Sequence, residues 1–353
     1  MVPREYRASR STAIEIMDWF EKITGFTETS YGETRSRLSV ENGWLGSEAT
    51  DRKFAIGRLE VVSLRALRER VASGSDLHGR LTVRNVSGDV RRMHQMTEFS
   101  GALFQVASQF NLLEMVSPIV TPEQGVTRYQ HDRTQGPACA IAAGAATIYR
   151  NYFVPLHGGE GQTAESQVDC LEAVGVRLAE ELAQSVEHLW TMKNGYALCS
   201  AEGLRKIGAY LDGLDSSNTE KLEGLLQIGV HHGVQVTDSD SQPSQLVSQA
   251  FCSALPVAYC GHPSAMWRPF AELVLDAAYE ATVLAGVLNA LSGASNIVLL
   301  TRLGGGAFGN DDAWIDAAMR RALDKVRGVD LDVRLVSFGF PPPSMLETEE
   351  IFS

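Results

Sequence analysis

The sequence lacks several features that mark whole classes of protein. Its 353 residues include only five cysteines, widely spaced and without a CxxC pair, a pattern that argues against a disulfide framework and favours a reducing compartment. The longest apolar stretch, near residues 277–291, is interrupted by Glu280 and Asn289 and is too short and too polar to span a bilayer. The N-terminus has no apolar secretory segment either. We therefore expect a cytoplasmic protein with no membrane partner.

Positive charge is also scarce. The chain has 31 Lys and Arg residues against 43 Asp and Glu residues, which gives a formal net charge of -12. An acidic protein repels phosphate backbones, so no nucleic-acid partner is expected, whereas a small phosphorylated ligand held by local amides stays compatible with this charge. The hydrophobic content of 44% is enough for one large core, or for a core with a smaller N-terminal lobe.

Strand-like and helix-like segments alternate along most of the chain. The predicted strands are 81–86, 101–110, 225–236, 246–255, 296–303 and 332–338, and the predicted helices are 64–71, 139–152, 166–189, 204–214, 267–291 and 311–326. This order predicts a three-layer α/β/α fold with a mixed central sheet covered on both faces. Residues 1–79 form a weaker pattern, with a helix over 11–24, a loop over 27–50 and a strand over 54–59. We assign them to a partly helical N-terminal extension, and residues 80–353 to the main domain.

A glycine-rich loop follows the predicted strand 296–303. Consecutive glycines allow backbone N–H groups to approach a ligand closely, and the start of the helix after them favours an anion. The loop therefore predicts a diphosphate cradle; a tight structural turn is the alternative, because no Walker motif or GxGxxG pattern is present. The ligand-binding candidates here are Gly304, Gly305, Gly306, Ala307, Phe308, Gly309 and Asn310.

A long polar segment follows the strand 101–110. Loops of this length inside a domain are usually functional, and this one contains three acids, Glu114, Glu123 and Asp132. Cleavage at an anomeric carbon needs a carboxylate that activates water or stabilises positive charge, and an acid near the leaving group. Asp132 is the first candidate, because the Thr-Gln-Gly-Pro turn after it would fix its position. The alternative is that these acids are solvated loop charges.

Cys139 lies at the start of the helix 139–152. A thiol in such a place can have a lowered pKa and act as a nucleophile. The sequence around it has no recognisable protease context, so a buried core cysteine is the favoured interpretation. Cys252, Cys260 and His262 lack a fourth partner, so we expect no metal site.

Several segments between residues 80 and 340 resemble one known family, the MavL-like macrodomain hydrolases of the macrodomain and poly(ADP-ribose) glycohydrolase-like superfamily. The segments are SQFNLLEM, GVTRYQHDRTQGPACAIAAGAATIYRNYF, VSQAFCSALPVAY, LVLDAAYEAT and LTRLGGGAFGND. The resemblance implies a macrodomain-like fold and removal of ADP-ribose from a modified protein. Arginine would be the modified side chain, and ubiquitin is a candidate substrate. ADP-ribose would be ligand and product, and no cofactor would be required.

The resemblance also implies roles for individual residues. Gln109 and Asn111 would contact the distal ribose, and the glycine loop would hold the diphosphate. Glu114, Glu123 and Asp132 would be the catalytic acids. The remaining ligand-binding candidates are Arg133, Thr134 and Gln135. Two other functions stay open: a reader module that binds ADP-ribose without cleaving it, and a cysteine hydrolase that uses Cys139.

Overall fold

The structure is a computed structural model, and it describes residues 17–74, 77–239 and 244–353. The strands are β1 (Leu38–Glu41), β2 (Trp44–Ser47), β3 (Thr50–Ala55), β4 (Arg58–Ser63), β5 (Thr82–Ser87), β6 (Leu103–Ala107), β7 (Pro155–Leu156), β8 (Gly159–Glu160), β9 (Trp190–Lys193), β10 (Tyr196–Cys199), β11 (Gln227–Gln235), β12 (Leu246–Cys252), β13 (Ile297–Leu300) and β14 (Asp332–Ser337). The helices are α1 (Trp19–Thr24), α2 (Tyr31–Ser36), α3 (Leu64–Ser73), α4 (Val90–Met93), α5 (Gln135–Ala142), α6 (Gly144–Tyr152), α7 (Glu172–Glu181), α8 (Val186–Leu189), α9 (Ala201–Leu211), α10 (Ser216–Glu223), α11 (Ser264–Leu291), α12 (Asp312–Lys325) and α13 (Pro343–Phe352). Short 3-10 helices cover Thr97–Phe99, Pro122–Gln124, Thr127–His131 and Val257–Tyr259.

The central element is a seven-stranded mixed sheet in the order β4-β11-β12-β6-β13-β14-β5. The strands β12, β6, β13, β14 and β5 are parallel to one another, and β11 is antiparallel to both of its neighbours. The carboxyl ends of the five parallel strands therefore meet at one edge of the sheet, which is where open α/β sheets bind ligands.

Helices cover both faces of this sheet. On one face, the side chain of Gln105 in β6 donates a hydrogen bond to Thr282 of α11, and Ser248 of β12 donates to Asn289 of the same helix. On the other face, Phe104 stacks on His94 beside α4, and Gln249 donates to the backbone oxygen of Cys139 in α5. Neighbouring residues along one strand thus contact opposite layers, and the predicted mixed sheet between two helical layers is confirmed.

The N-terminal part has more structure than predicted. Residues 17–56, which we call the N-terminal unit, contain α1, α2 and the antiparallel sheet β1-β2-β3. The unit packs on α6 and forms a second apolar core with it. The predicted loop over 27–50 is therefore wrong, and the predicted strand 54–59 spans the end of β3 and the start of β4. Residues 1–16, which include the first six residues of the predicted helix 11–24, lie outside the described part of the chain, and α1 covers the end of that predicted helix.

The central sheet begins before residue 80. Strand β4 pairs with β11 through registers such as Val62 with Ile228, and α3 packs against α11. Both elements precede the start predicted for the main domain. The pairing joins segments more than 160 residues apart, so no local sequence pattern could indicate it.

Two predicted helices are interrupted in the structure. The predicted helix 166–189 begins only at Glu172, because the preceding segment is held in turns: Val168 donates its N–H to the Gln162 side chain, and Cys170 donates its N–H to the backbone oxygen of Phe110. Ala183, with a φ of 51°, ends α7. The predicted helix 139–152 is broken at Ala143, because the Thr237 hydroxyl accepts the N–H of Gly144 at 2.8 Å.

Among the described residues, the search for a helix long and apolar enough to cross a membrane finds none.

Candidate active site

A cleft lies at the carboxyl ends of the five parallel strands. It has a narrow part of about 160 Å³ beside β6 and β13 and a wide part of about 750 Å³ beside β14 and β5. The two parts are continuous because they share lining residues. The shared residues are Asp132, Thr134, Gln135, Thr301 and Arg302.

The glycine loop forms one wall of the narrow part, with Gly304, Gly306, Ala307 and Phe308 among the lining residues. Within the described residues, the backbone N–H groups of Gly306, Ala307 and Phe308 donate to no protein acceptor. Three successive free amides at the edge of a cleft form an anion-binding surface. The wall therefore has the donors that a diphosphate requires.

The start of this loop is held in a conformation that needs glycine. Gly304 has a φ of 75°, in the left-handed region that glycine adopts without strain. A Cβ at this position would overlap the Cβ of Ala254 and lie 2.7 Å from the side-chain nitrogen of Asn310. Asn310 is buried and donates to the backbone oxygens of Leu255 and Gly304. It therefore holds the loop in place and contributes no direct contact to the cleft lining.

The helix after the loop does not offer a free N-terminus. The side chain of Asp311 accepts the N–H of Ala313 at 2.8 Å, so α12 is already capped by an acid. Asp312 in its first turn pairs with Arg302 at 2.6 Å. One N–H of this helix end is therefore already bonded to a carboxylate, and binding of the anion by the helix end stays a prediction.

Glu114 is another residue that lines the narrow part. Its side chain is almost fully buried, and neither carboxyl oxygen has a hydrogen-bond partner in the described residues. Burial raises the pKa of Glu114 to about 8, and the positive charge of Arg150 opposes that rise. A buried carboxyl group beside a cleft that keeps its proton near neutral pH is a candidate general acid.

A tight turn after β6 positions Glu114. Gln109 accepts the N–H of Met115 with its side-chain oxygen at 2.7 Å, and Leu112 adopts a φ of 64°. The hydroxyl of Tyr129 accepts the N–H of Glu114 at 3.0 Å. Backbone and side-chain contacts on both sides of Glu114 thus fix the direction of its carboxyl group.

Gln109 and Asn111, both predicted to contact ribose, differ in position. Gln109 lines the narrow part. Asn111 is fully buried and does not line the cleft; its side chain accepts the N–H of Leu113 and donates to Gln167. Asn111 therefore stabilises the turn in this structure.

Asp132 lies where the narrow and wide parts of the cleft meet. Its carboxylate accepts hydrogen bonds from the N–H and the hydroxyl of Thr134, at 2.8 and 2.7 Å. Gln135 joins the same segment to β6, since its side chain accepts from Ala107 N–H and donates to the Gln105 carbonyl. Arg133 lines the wide part. The structure thus brings Asp132 and the glycine loop to one cavity.

Glu123 lies elsewhere. Its carboxylate accepts the N–H of Ala164 at 2.9 Å, and it does not line either part of the cleft. Its role in the structure is to join the 3-10 helix Pro122–Gln124 to the loop before α7.

Several cleft residues were missed by the sequence analysis. Two of them, Tyr196 and Tyr259, form an aromatic cluster in the narrow part with Phe308, which was predicted; the ring centroids are 5.2 to 5.7 Å apart. Phe338 and Phe340 line the wide part, and each is 87% exposed. Two exposed phenylalanines beside a cleft are unusual for a surface. The SFGFPPP sequence, which overlaps the end of the last predicted strand, was the available signal.

Cys139 does not line the cleft. It is completely buried, and burial raises the pKa of its thiol well above the ordinary value. A nucleophilic cysteine needs access and a thiolate, so the cysteine-hydrolase alternative is wrong for this structure. In the described residues, no group of three or more His, Cys, Asp or Glu side chains is arranged to hold a metal ion.

Comparisons with known proteins give structural matches alone. No family model matches the sequence, and no curated protein matches it. Poly(ADP-ribose) glycohydrolase from Deinococcus radiodurans in complex with ADP-ribose is similar at 12% identity and a TM-score of 0.43, over 83% of this chain and 93% of that chain. The poly(ADP-ribose) glycohydrolase from Thermomonospora curvata is similar at 12% identity and a TM-score of 0.43, over 91% and 95% of the two chains. The functional argument therefore rests on the geometry of the cleft.

Proposed function

We propose that the protein binds ADP-ribose in the cleft and hydrolyses the bond between ADP-ribose and a protein side chain. The observation that supports this proposal is the presence of two kinds of group in the narrow part. Its lining includes the free amides of Gly306, Ala307 and Phe308, and it includes Glu114, whose buried carboxyl group lies 3.6 Å from Arg150. An anion-binding surface in the same cavity as a proton-carrying carboxyl group suits a substrate with a diphosphate next to a glycosidic bond.

The two parts of the cleft define the arrangement that we propose for such a substrate. The diphosphate would lie against the glycine loop, and the distal ribose would extend into the narrow part toward Glu114. The adenosine would occupy the wide part, where the rings of Phe338 and Phe340 are exposed. Asp132, between the two parts, would face the distal ribose and the attacking water.

The proposed reaction uses two carboxyl groups. Water attacks the anomeric carbon of the distal ribose as the bond from this carbon to the leaving nitrogen breaks. Glu114, whose raised pKa keeps it protonated at neutral pH, gives its proton to the leaving nitrogen. Asp132 orients the water and accepts the proton that it releases. The products are free ADP-ribose and the unmodified side chain.

The proposal also names the modified side chain and the protein that carries it. We propose arginine as the modified side chain, because its guanidinium pairs well with a carboxylate such as that of Asp132, which lines the narrow part. Ubiquitin is the candidate for the ADP-ribosylated protein substrate. We further propose that the protein is a member of the MavL-like macrodomain hydrolases and that it acts in the cytoplasm.

Two measurements test the proposal. Calorimetry with free ADP-ribose should show one binding site per chain, and absence of binding would overturn the proposal. Incubation with an arginine-ADP-ribosylated protein should release free ADP-ribose. Binding without release would leave a reader module, and release from serine-linked or glutamate-linked substrates alone would overturn the choice of arginine.

Variants of acidic residues test whether turnover takes place in the cleft. Asp132→Ala and Glu114→Gln should each lower turnover by on the order of a hundredfold or more, because each removes one of the two proton-transfer groups. Glu123→Gln should leave turnover close to that of the parent protein, since Glu123 does not line the cleft. This matched change tests whether loss of any acid in the polar segment has the same effect.

A further inference from the structure

A carboxylate of the N-terminal unit holds the segment that leads to the cleft. Glu28 accepts the N–H of Val126 at 2.9 Å and the N–H of Thr127 at 2.7 Å. Its first oxygen also accepts a hydrogen bond from the buried hydroxyl of Tyr152 at 2.8 Å. Three donors from two other parts of the chain thus converge on one carboxylate.

The backbone around this contact suits the carboxylate. Gly125 has a φ of 78°, and a Cβ there would overlap the carboxylate of Glu28. A second contact comes from Trp19 in α1, whose indole nitrogen donates to the backbone oxygen of Thr127 at 3.1 Å. The N-terminal unit therefore forms hydrogen bonds with both the N–H and the carbonyl of Thr127.

Thr127 is the first residue of the 3-10 helix Thr127–His131. This helix carries Tyr129, whose hydroxyl accepts the N–H of Glu114, and it ends at Asp132, whose N–H bonds to the backbone oxygen of Tyr129. A shift of the helix start would therefore move Tyr129 and Asp132, and with Tyr129 the backbone of Glu114.

We infer that the N-terminal unit holds residues 122–134 in position, with Glu28 as a positioning residue for Tyr129, Asp132 and Glu114. We call this set of contacts the brace. This inference rests on the proposed function for its effect on turnover. Its effect on the segment itself is independent of that function. Displacements of about 1 Å at reacting groups can lower a rate on the order of a hundredfold. Because loss of the brace would displace Asp132 and Glu114, it should lower the rate of the chemical step.

The test uses the full chain with Glu28→Gln, which keeps the shape of the side chain but removes the charge and one acceptor oxygen. Hydrogen exchange of residues 122–134 should become at least about tenfold faster, because the Val126 and Thr127 N–H groups lose an ionised acceptor. Turnover of arginine-ADP-ribosylated protein should show a kcat reduced by about tenfold or more. The Kd for free ADP-ribose should change less than kcat, because the glycine loop lies outside the segment, although Asp132, Arg133 and Thr134 of the segment line the cleft.

Two further variants make the outcome decisive. Trp19→Phe removes the second contact by a different route, and it should also speed exchange in residues 122–134. Glu33→Gln, an exposed acid of the same unit, is the matched control and should leave exchange and kcat unchanged. Unchanged exchange in both test variants would overturn the brace, as would faster exchange with an unaltered kcat. If the parent protein shows no turnover, the proposed function fails, while the exchange experiment still decides the brace.

Discussion

Glu114 and Arg150 lie 3.6 Å apart, measured from carboxyl oxygen to guanidinium nitrogen, and both side chains are buried. Arg150 is held by other groups: it donates to the Leu112 carbonyl and the Thr147 hydroxyl, and its guanidinium lies 3.8 Å from the ring centroid of Phe251. The arginine therefore acts on the carboxyl group as a fixed nearby charge without sharing a direct hydrogen bond with it.

The ionisation of Glu114 reflects opposing effects. Burial, the largest effect, favours the protonated form, whereas the charge of Arg150 and the neighbouring Tyr129 hydroxyl favour the carboxylate. Tyr129, which accepts from the Glu114 backbone, and the buried Cys139 thiol are the other titratable groups nearby. Both of their pKa values are raised well above the ordinary range, so they stay neutral over the pH range of interest. Arg150 is therefore the charge that limits the pKa of Glu114.

The first prediction concerns the pH dependence of turnover. A general acid loses activity as pH rises through its pKa, so the parent protein should show an alkaline limb near pH 8. Arg150→Gln removes the charge that favours the carboxylate, so the pKa should rise and the limb should move by about one unit or more to higher pH. Initial rates measured from pH 5 to about pH 10 would show this shift.

Arg150→Lys is the matched control for that measurement. Lysine keeps the positive charge, so the alkaline limb should stay nearer to that of the parent protein. A limb that stays in place in a folded Arg150→Gln protein would show that Glu114 is not the group that titrates.

The second prediction concerns stability. The folded-state pKa of Glu114, about 8, is above the model-compound value of 4.5, so the folded state binds this proton more tightly than the unfolded state does. The resulting stabilisation is complete below pH 4.5 and is lost as pH rises through 8. Glu114→Gln cannot lose a proton, so its free energy of unfolding relative to the parent should increase with pH by on the order of 2–4 kcal/mol.

Urea unfolding of both proteins at pH 5, about pH 7 and about pH 9 checks this expectation. The quantity of interest is the difference between the two free energies of unfolding, since other titrating groups affect both proteins equally. A difference independent of pH would contradict a raised pKa for Glu114.

The sequence predicted those parts of the site that depend on local order. The strand–loop–helix arrangement around Gly304 is visible in a short window, because a buried strand, a run of glycines and a helix follow one another directly. The position of Asp132 before the Thr-Gln-Gly-Pro sequence is local as well, and its carboxylate does bond to Thr134, although this sequence begins α5 and is not a separate turn. The layers of the fold followed from the alternation of apolar segments.

Other parts of the site depend on contacts between distant segments. Glu114 and Glu123 are acids in the same polar segment, and only the folded structure distinguishes them: one is buried beside Arg150, and the other is held by Ala164. Tyr196 belongs to a hairpin more than 80 residues from Glu114 in sequence, yet its hydroxyl donates to the Met115 carbonyl. The contact of Glu28 with Val126 is similarly remote. No periodicity or composition pattern carries such information.

The third prediction tests the glycine loop. Gly304→Ala should lower the affinity for ADP-ribose by about tenfold or more, because a Cβ at this positive φ strains the backbone and overlaps Ala254. The displacement would move the free amides of residues 306–308 away from the diphosphate. Calorimetry measures the change. Gly328→Ala is the control: a Cβ at this position meets no other atom within 4 Å, so affinity should be retained.

The fourth prediction tests the wide part of the cleft. Phe338 and Phe340 are each 87% exposed, and stacking of a base on an aromatic ring contributes about 1–3 kcal/mol. Phe338→Ala and Phe340→Ala together should therefore weaken ADP-ribose binding by about tenfold or more, whereas the Kd for ribose 5-phosphate, which has no base, should be unaffected. Trp44→Ala, an exposed aromatic outside the cleft, should leave both affinities unchanged. Equal losses for the two ligands would show that these rings support the cleft instead of contacting the base.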